Sequence, residues 1–120
     1  MESITVIVQY KIKKKKLAKA KEALSEYVDV VKKNEPGTIE YKVFQDADDS
    51  SIFVHLMSFV DKNAKKTHEK TEHLKKLKKV LVPMSKGKAV YTTLTDIQFV
   101  QSEEKTDDAK KSTVLSHEPV

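Results

Sequence analysis

The chain contains no cysteine, no tryptophan and no arginine, and only two glycines and three prolines in 120 residues. Without cysteine there can be no disulfide, no thiolate metal site and no thiol nucleophile. Without arginine, all 23 basic residues are lysines, and the planar fork that clamps phosphate and reads guanine edges is missing. The formal net charge of +5 therefore describes a solvated lysine surface better than a nucleic-acid reader. The run KIKKKKLAKAK, Lys11 to Lys21, still offers a diffuse attraction for polyanions. No stretch approaches the ~18–20 apolar residues of a membrane span. The opening MESITVIVQYK has a short apolar run, an early glutamate and no small-residue cleavage site, so it does not read as a signal peptide. One domain in a cytoplasmic protein is the expectation.

Residues 3–12, SITVIVQYKI, are rich in β-branched residues and predict a strand. Leu17, Ala20, Leu24, Tyr27, Val28 and Val31 recur at helical spacing, predicting an amphipathic helix that Asn34, Pro36 and Gly37 end. TIEYKVFQ (38–45) alternates as a second strand, DADDS (46–50) predicts a turn, and SIFVHLMSF (51–59) a third strand. Asp61 or Asn63 can cap a helical region over 62–82, with a break near Lys70 and Thr71. Pro83 and a turn at SKGK are expected to close it before a last strand, AVYTTLTDIQF (89–99).

The order β-α-β-β-α-β is that of the ferredoxin-like split unit, an α+β fold with a four-stranded antiparallel sheet and its helices on one face. On the third strand, Phe53, His55, Met57 and Phe59 share one side and Ile52, Val54 and Leu56 the other. Taking the aromatic side as the uncovered one, it carries too much apolar surface to leave in water, and a homodimer would cover it. Residues 101–120 differ in character, with three lysines against five acidic residues, whereas residues 1–100 carry twenty lysines against thirteen. That tail is expected to be a flexible, charged extension of a domain spanning 1–100.

The stretch HEKTEH, His68 to His73, has the outline of a zinc-protease signature with one residue too many. On an unbroken helix, residues five apart are rotated about 140° from one another and cannot grip one ion. A metal site is not expected.

Three pieces carry a family resemblance: EPGTIEYKVF (35–44), FVHLMSFVDKNAKKTHEKTEHLKKL (53–77) and LVPM (81–84). The second holds an aromatic–x–Asp–x–x–Ala–x–x–x–His register. Together, over about residues 4–97, they resemble the antibiotic biosynthesis monooxygenase family of dimeric α/β-barrel proteins. Members of that family oxidise quinols or anthrones without a cofactor, degrade haem, or isomerise small signalling sugars. The resemblance places His68 at the mouth of a barrel cavity, where an imidazole could take a proton from a phenolic or enolic substrate. A structural histidine linking helix and sheet is the other reading of His68, and a capping or packing role is favoured for His73. His55 is either a satisfied core histidine or a second titratable group of the cavity.

Departures from the family pattern also bear on chemistry. Met57 stands where many relatives have glutamate, and Phe59 where tryptophan or tyrosine is common. The chain lacks tryptophan, and its first strand lacks asparagine, so the resemblance does not imply haem degradation. The reading is a cofactor-independent monooxygenase acting on a small electron-rich aromatic. In it, His68 and His55 are the catalytic candidates, and Phe44, Phe53, Met57, Phe59 and Gln9 bind substrate. Thr5 and Lys42 are further contributors from neighbouring strands. The alternatives are a non-catalytic dimeric binder of a hydrophobic small molecule, or an isomerase of a small phosphorylated sugar or ketone.

Overall fold

The computed structural model of the protein describes residues 3–97. The tail assigned to 101–120, and the last two residues of the strand expected at 89–99, lie outside the described residues.

Strand β1 (Ile4–Ile12) runs into a single 3-10 turn (Lys14–Lys16) and then helix α1 (Leu17–Asn34). Hairpin strands β2 (Thr38–Gln45) and β3 (Ile52–Phe59) follow, then helices α2 (Lys62–Glu69) and α3 (Glu72–Met84), and strand β4 (Ser85–Leu94). The sheet order is β2-β3-β1-β4, every neighbouring pair antiparallel. This is the expected ferredoxin-like arrangement. Among the described residues no helix is long and apolar enough to cross a membrane.

Each element ends for a local reason. Pro36 blocks continuation of α1, whose buried stripe of Ala20, Leu24, Tyr27 and Val31 follows helical spacing. Asp61 caps α2 by accepting from the Ala64 amide at 2.9 Å. The break expected near Lys70 and Thr71 is present, and the Thr71 hydroxyl caps α3 by accepting from the Leu74 amide.

The last strand differs from the expectation. Pro83 sits inside the final turn of α3, and SKGK is part of β4 rather than a turn. Ser85 and Lys86 already pair with Ile12 and Lys11, and the register then shifts before Val90 meets Gln9. Gly87 stands at this irregularity with a φ of 74°. A glycine there acts as a bulge residue, which local sequence cannot distinguish from a turn glycine.

The sides of the sheet also need correcting. Phe53, His55, Met57 and Phe59 do share a side, but the helices cover it, and all four are buried. Val6, Val8, Tyr10 and Ile12 join them there. The uncovered side carries half-buried Ile7, Val54 and Leu56 together with the exposed Phe44, Val90 and Leu94. Alternation groups residues by side, but only packing decides where the helices lie.

Gly37 is required by a close approach. A Cβ at this position would stand 2.6 Å from the Ala64 Cβ on α2, while the Gly37 carbonyl accepts from the Val60 amide at 2.9 Å. The contact locks the start of β2 against α2. Gly37→Ala is expected to lower unfolding stability by about 1–3 kcal/mol through overpacking, and Ala64→Gly should recover part of that loss. Urea denaturation is the check, and an unchanged midpoint in Gly37→Ala would refute the contact.

Candidate functional site

A cavity of about 620 Å³ lies between the inner side of the sheet and helices α2 and α3. It lies on the helix-covered side of the sheet. Val6, Val8, Met57, Phe59, Leu77 and Leu81 make much of its wall apolar, and Tyr10, Tyr41, His55 and His68 add polar atoms. Its mouth opens toward Val82 and Tyr91, which are 67% and 62% exposed.

Of the site residues expected from the sequence, His55, Met57, Phe59 and His68 come together at this cavity. Phe53 lies behind the wall, stacked on Tyr10 with ring centroids 5.9 Å apart. Phe44 and Gln9 do not join them. Phe44 pairs with Val54 and Gln9 with both Val54 and Val90, so they lie on the opposite side of the sheet. The reason is the two-residue period of a strand, which sends neighbours of inward residues outward. Thr5 lies on that opposite side as well, with its hydroxyl 3.0 Å from that of Ser58, and so does Lys42, paired with Leu56.

Two buried polar groupings organise the cavity wall. In the first, His55 is held between two phenols, with Nε2 2.6 Å from the Tyr10 hydroxyl and Nδ1 2.8 Å from that of Tyr41. Burial, with a smaller contribution from nearby His68, pushes the His55 imidazole down to about 4. Burial likewise raises Tyr10 and Tyr41 well above the ordinary phenol range. At neutral pH all three groups are uncharged and carry three hydrogens between them. The two hydrogen bonds to His55 use two, which leaves one phenol hydrogen for another acceptor.

In the second grouping, Glu35 receives both histidines of HEKTEH. His68 Nδ1 is 2.8 Å from Glu35 Oε1, His73 Nε2 is hydrogen-bonded to Oε2, and the Thr38 hydroxyl donates to Oε1 at 2.7 Å. The Glu35 side chain is only 4% exposed. Burial pushes its carboxyl up, but the donors from His73, Thr38 and His68 outweigh this and hold it below the usual carboxylate range. An ionised carboxylate only accepts, so His68 donates from Nδ1. Its Nε2 then faces the Tyr27 hydroxyl at 3.3 Å. The helix break at Lys70 and Thr71 is what turns His73 back to the same carboxylate as His68. Among the described residues no group of three or more histidine, aspartate or glutamate side chains has metal-binding geometry.

The sequence does not place Glu35, Tyr10, Tyr27 or Tyr41 at the site, although Tyr27 stands in the predicted α1 stripe and Glu35 and Tyr41 in EPGTIEYKVF. A signal for Glu35 existed: it continues the buried α1 stripe four residues after Val31, an acid on an apolar face at the end of a helix.

The His55 shift has a consequence for stability. Its imidazole binds a proton less readily folded than unfolded, so stability is complete above pH 6.5 and falls as pH drops toward about 4. The loss through this residue should be about 3 kcal/mol. Stability measured by urea unfolding across that range should fall less steeply in His55→Gln than in the unsubstituted protein. Identical slopes would show that His55 is not held neutral.

No curated protein matches this sequence. Among solved structures, a Caulobacter crescentus CB15 protein provisionally named an antibiotic biosynthesis monooxygenase is 23% identical. It superposes with a TM-score of 0.77, covering 81% of this chain and 92% of its own. A Nitrosomonas europaea protein of the same provisional name is 20% identical, with a TM-score of 0.75 and coverages of 80% and 91%. A conserved protein from Methanosarcina mazei Go1 is 18% identical, with a TM-score of 0.75 and coverages of 81% and 95%. These likenesses support the fold. The family model described as antibiotic biosynthesis monooxygenase matches residues 3–80 of the 120, and this chain belongs to that family.

Proposed function

We propose that the protein is a cofactor-independent monooxygenase acting on a small electron-rich aromatic of the quinol or anthrone type. Family membership supports a monooxygenase-type role in general terms. The observation that carries the finer reading is His68 at the wall of a largely apolar cavity, with the Glu35 carboxylate behind it. A flat ring system suits a cavity of about 620 Å³.

His68 Nε2 is the base. Its present partner, the Tyr27 hydroxyl, is the most distant of the cavity-histidine contacts and the one a substrate hydroxyl would displace at least cost. Glu35 fixes the tautomer and stabilises the imidazolium that forms, as a carboxylate does behind any catalytic histidine. For an anthrone-like substrate, the resulting anion passes one electron to dioxygen, and the ring radical and superoxide combine to form a C–O bond. His68 returns its proton to the peroxide. Loss of water then leaves a carbonyl, with one oxygen atom in the product and the other in water. His55 suits this base role poorly because it is held neutral between two phenols. Between them Tyr10 and Tyr41 instead have one uncharged O–H to offer a substrate oxygen in a largely apolar cavity.

A second reading, a non-catalytic binder of a hydrophobic small molecule, is favoured by one observation. Both nitrogens of His55 and of His68 already have protein partners. Oxygen uptake with a panel of quinols and anthrones separates the two. Turnover should fall about 100-fold or more in His68→Ala. Full turnover in that variant would remove His68 from the role of base, and ligand binding with no uptake on any substrate would favour the binder.

The uncovered side of the sheet supports a symmetric homodimer, because Ile7, Val54, Leu56, Phe44, Val90 and Leu94 form an apolar surface there. Sedimentation equilibrium should give twice the chain mass at micromolar concentration, and Leu56→Lys should return the protein to single protomers. A wild-type chain that sediments as a lone protomer would exclude the dimer.

A further inference from the structure

The mouth of the cavity carries a charge pattern that the proposed reaction does not use. Lys65 from α2, Lys78 from α3 and Lys88 from β4 all border it, against a single carboxylate, Glu69. Glu69 is already paired with Lys65, Nζ to Oε2 at 2.8 Å. Among the described residues, neither Lys78 nor Lys88 has an acidic partner within salt-bridge distance. The three lysines come from three elements, so the grouping is made by the fold and is not simply the lysine repeat of α3. Beside low-dielectric walls such a surplus of one sign concentrates anions at the opening.

Depth separates the two kinds of contact. Tyr10, His55 and His68 are buried at the wall, whereas Lys78 and Lys88 are exposed. We propose that the cavity takes an aromatic carboxylic acid, its ring in the apolar interior and its carboxylate held at the mouth by Lys78 and Lys88. The proposal rests on the cavity being the ring-binding site of the preceding reading, and not on any oxygen chemistry there. Lysine ammonium groups on long stems suit this task, because they meet a single carboxylate as mobile point charges.

Two probes of matched shape test it by calorimetry on the full chain: 2-naphthoate, which is anionic, and 2-naphthamide, which is neutral. At low salt the unsubstituted protein should bind naphthoate about five-fold or more tighter than the amide, and added salt should narrow the gap. Lys78→Gln/Lys88→Gln should remove the preference while leaving naphthamide affinity unchanged. Lys14→Gln/Lys15→Gln, on the 3-10 turn and outside the cavity lining, should keep it. Equal binding of the two probes, or a preference that survives the Lys78/Lys88 substitutions, would overturn the carboxylate subsite and leave the ring site intact. Binding of neither probe would overturn the ring site and the subsite together.

Discussion

The buried carboxylate of Glu35 is the interaction on which the rest of the site depends. It terminates α1, faces the start of β2 through Thr38, and receives His68 from α2 and His73 from α3. Four elements thus meet on two oxygen atoms. An ionised carboxylate this deeply buried is stable only while its donors remain, since stripping a partner from a buried charge costs about 3–5 kcal/mol. The same donors that make burial tolerable also fix the orientation of the cavity histidine. The bond that anchors the His68 ring through Nδ1 also fixes where Nε2 points, toward the Tyr27 hydroxyl.

This clamp also gives physical meaning to the short motifs. In EPG, Glu35 is the acceptor, Pro36 stops the helix, and Gly37 makes room for α2. In the register that follows β3, Asp61 starts α2, Ala64 fills the space Gly37 leaves, and His68 reaches the carboxylate. Asp61, Ala64 and His68 are spaced three and four residues apart, so they fall on one helical face. The two motifs are two halves of one contact.

Around this contact the two sides of the sheet diverge. The covered side combines a core with a cavity, and the polar groups at its wall are tyrosines and histidines, those around His55 hydrogen-bonded without net charge. The uncovered side has only scattered protection from its own neighbours, and Phe44 and Val90 stand well exposed. Lysines dominate the remaining surface. Where the fold gathers three of them around the cavity opening, a compositional bias becomes a local field.

Period-2 and period-3.6 patterns, with Pro36, Gly37 and Asp61 as punctuation, were enough to read the element order and hence the ferredoxin-like class. They also grouped Phe53, His55, Met57 and Phe59 correctly. The pattern could not say which side the helices cover, because both sides of β3 are apolar and the choice depends on how α1, α2 and α3 pack. It could not tell the bulge at Gly87 from a turn, because that distinction lies in the pairing partner. Nor could it join Glu35 to histidines 33 and 38 residues later. Local sequence determined the elements, their order and the residues that share a face, since those follow from backbone sterics and periodicity. Tertiary packing alone decided the cavity, the Glu35 clamp and the lysine-bordered mouth, since each is made of groups distant in the chain that meet only when the layers close.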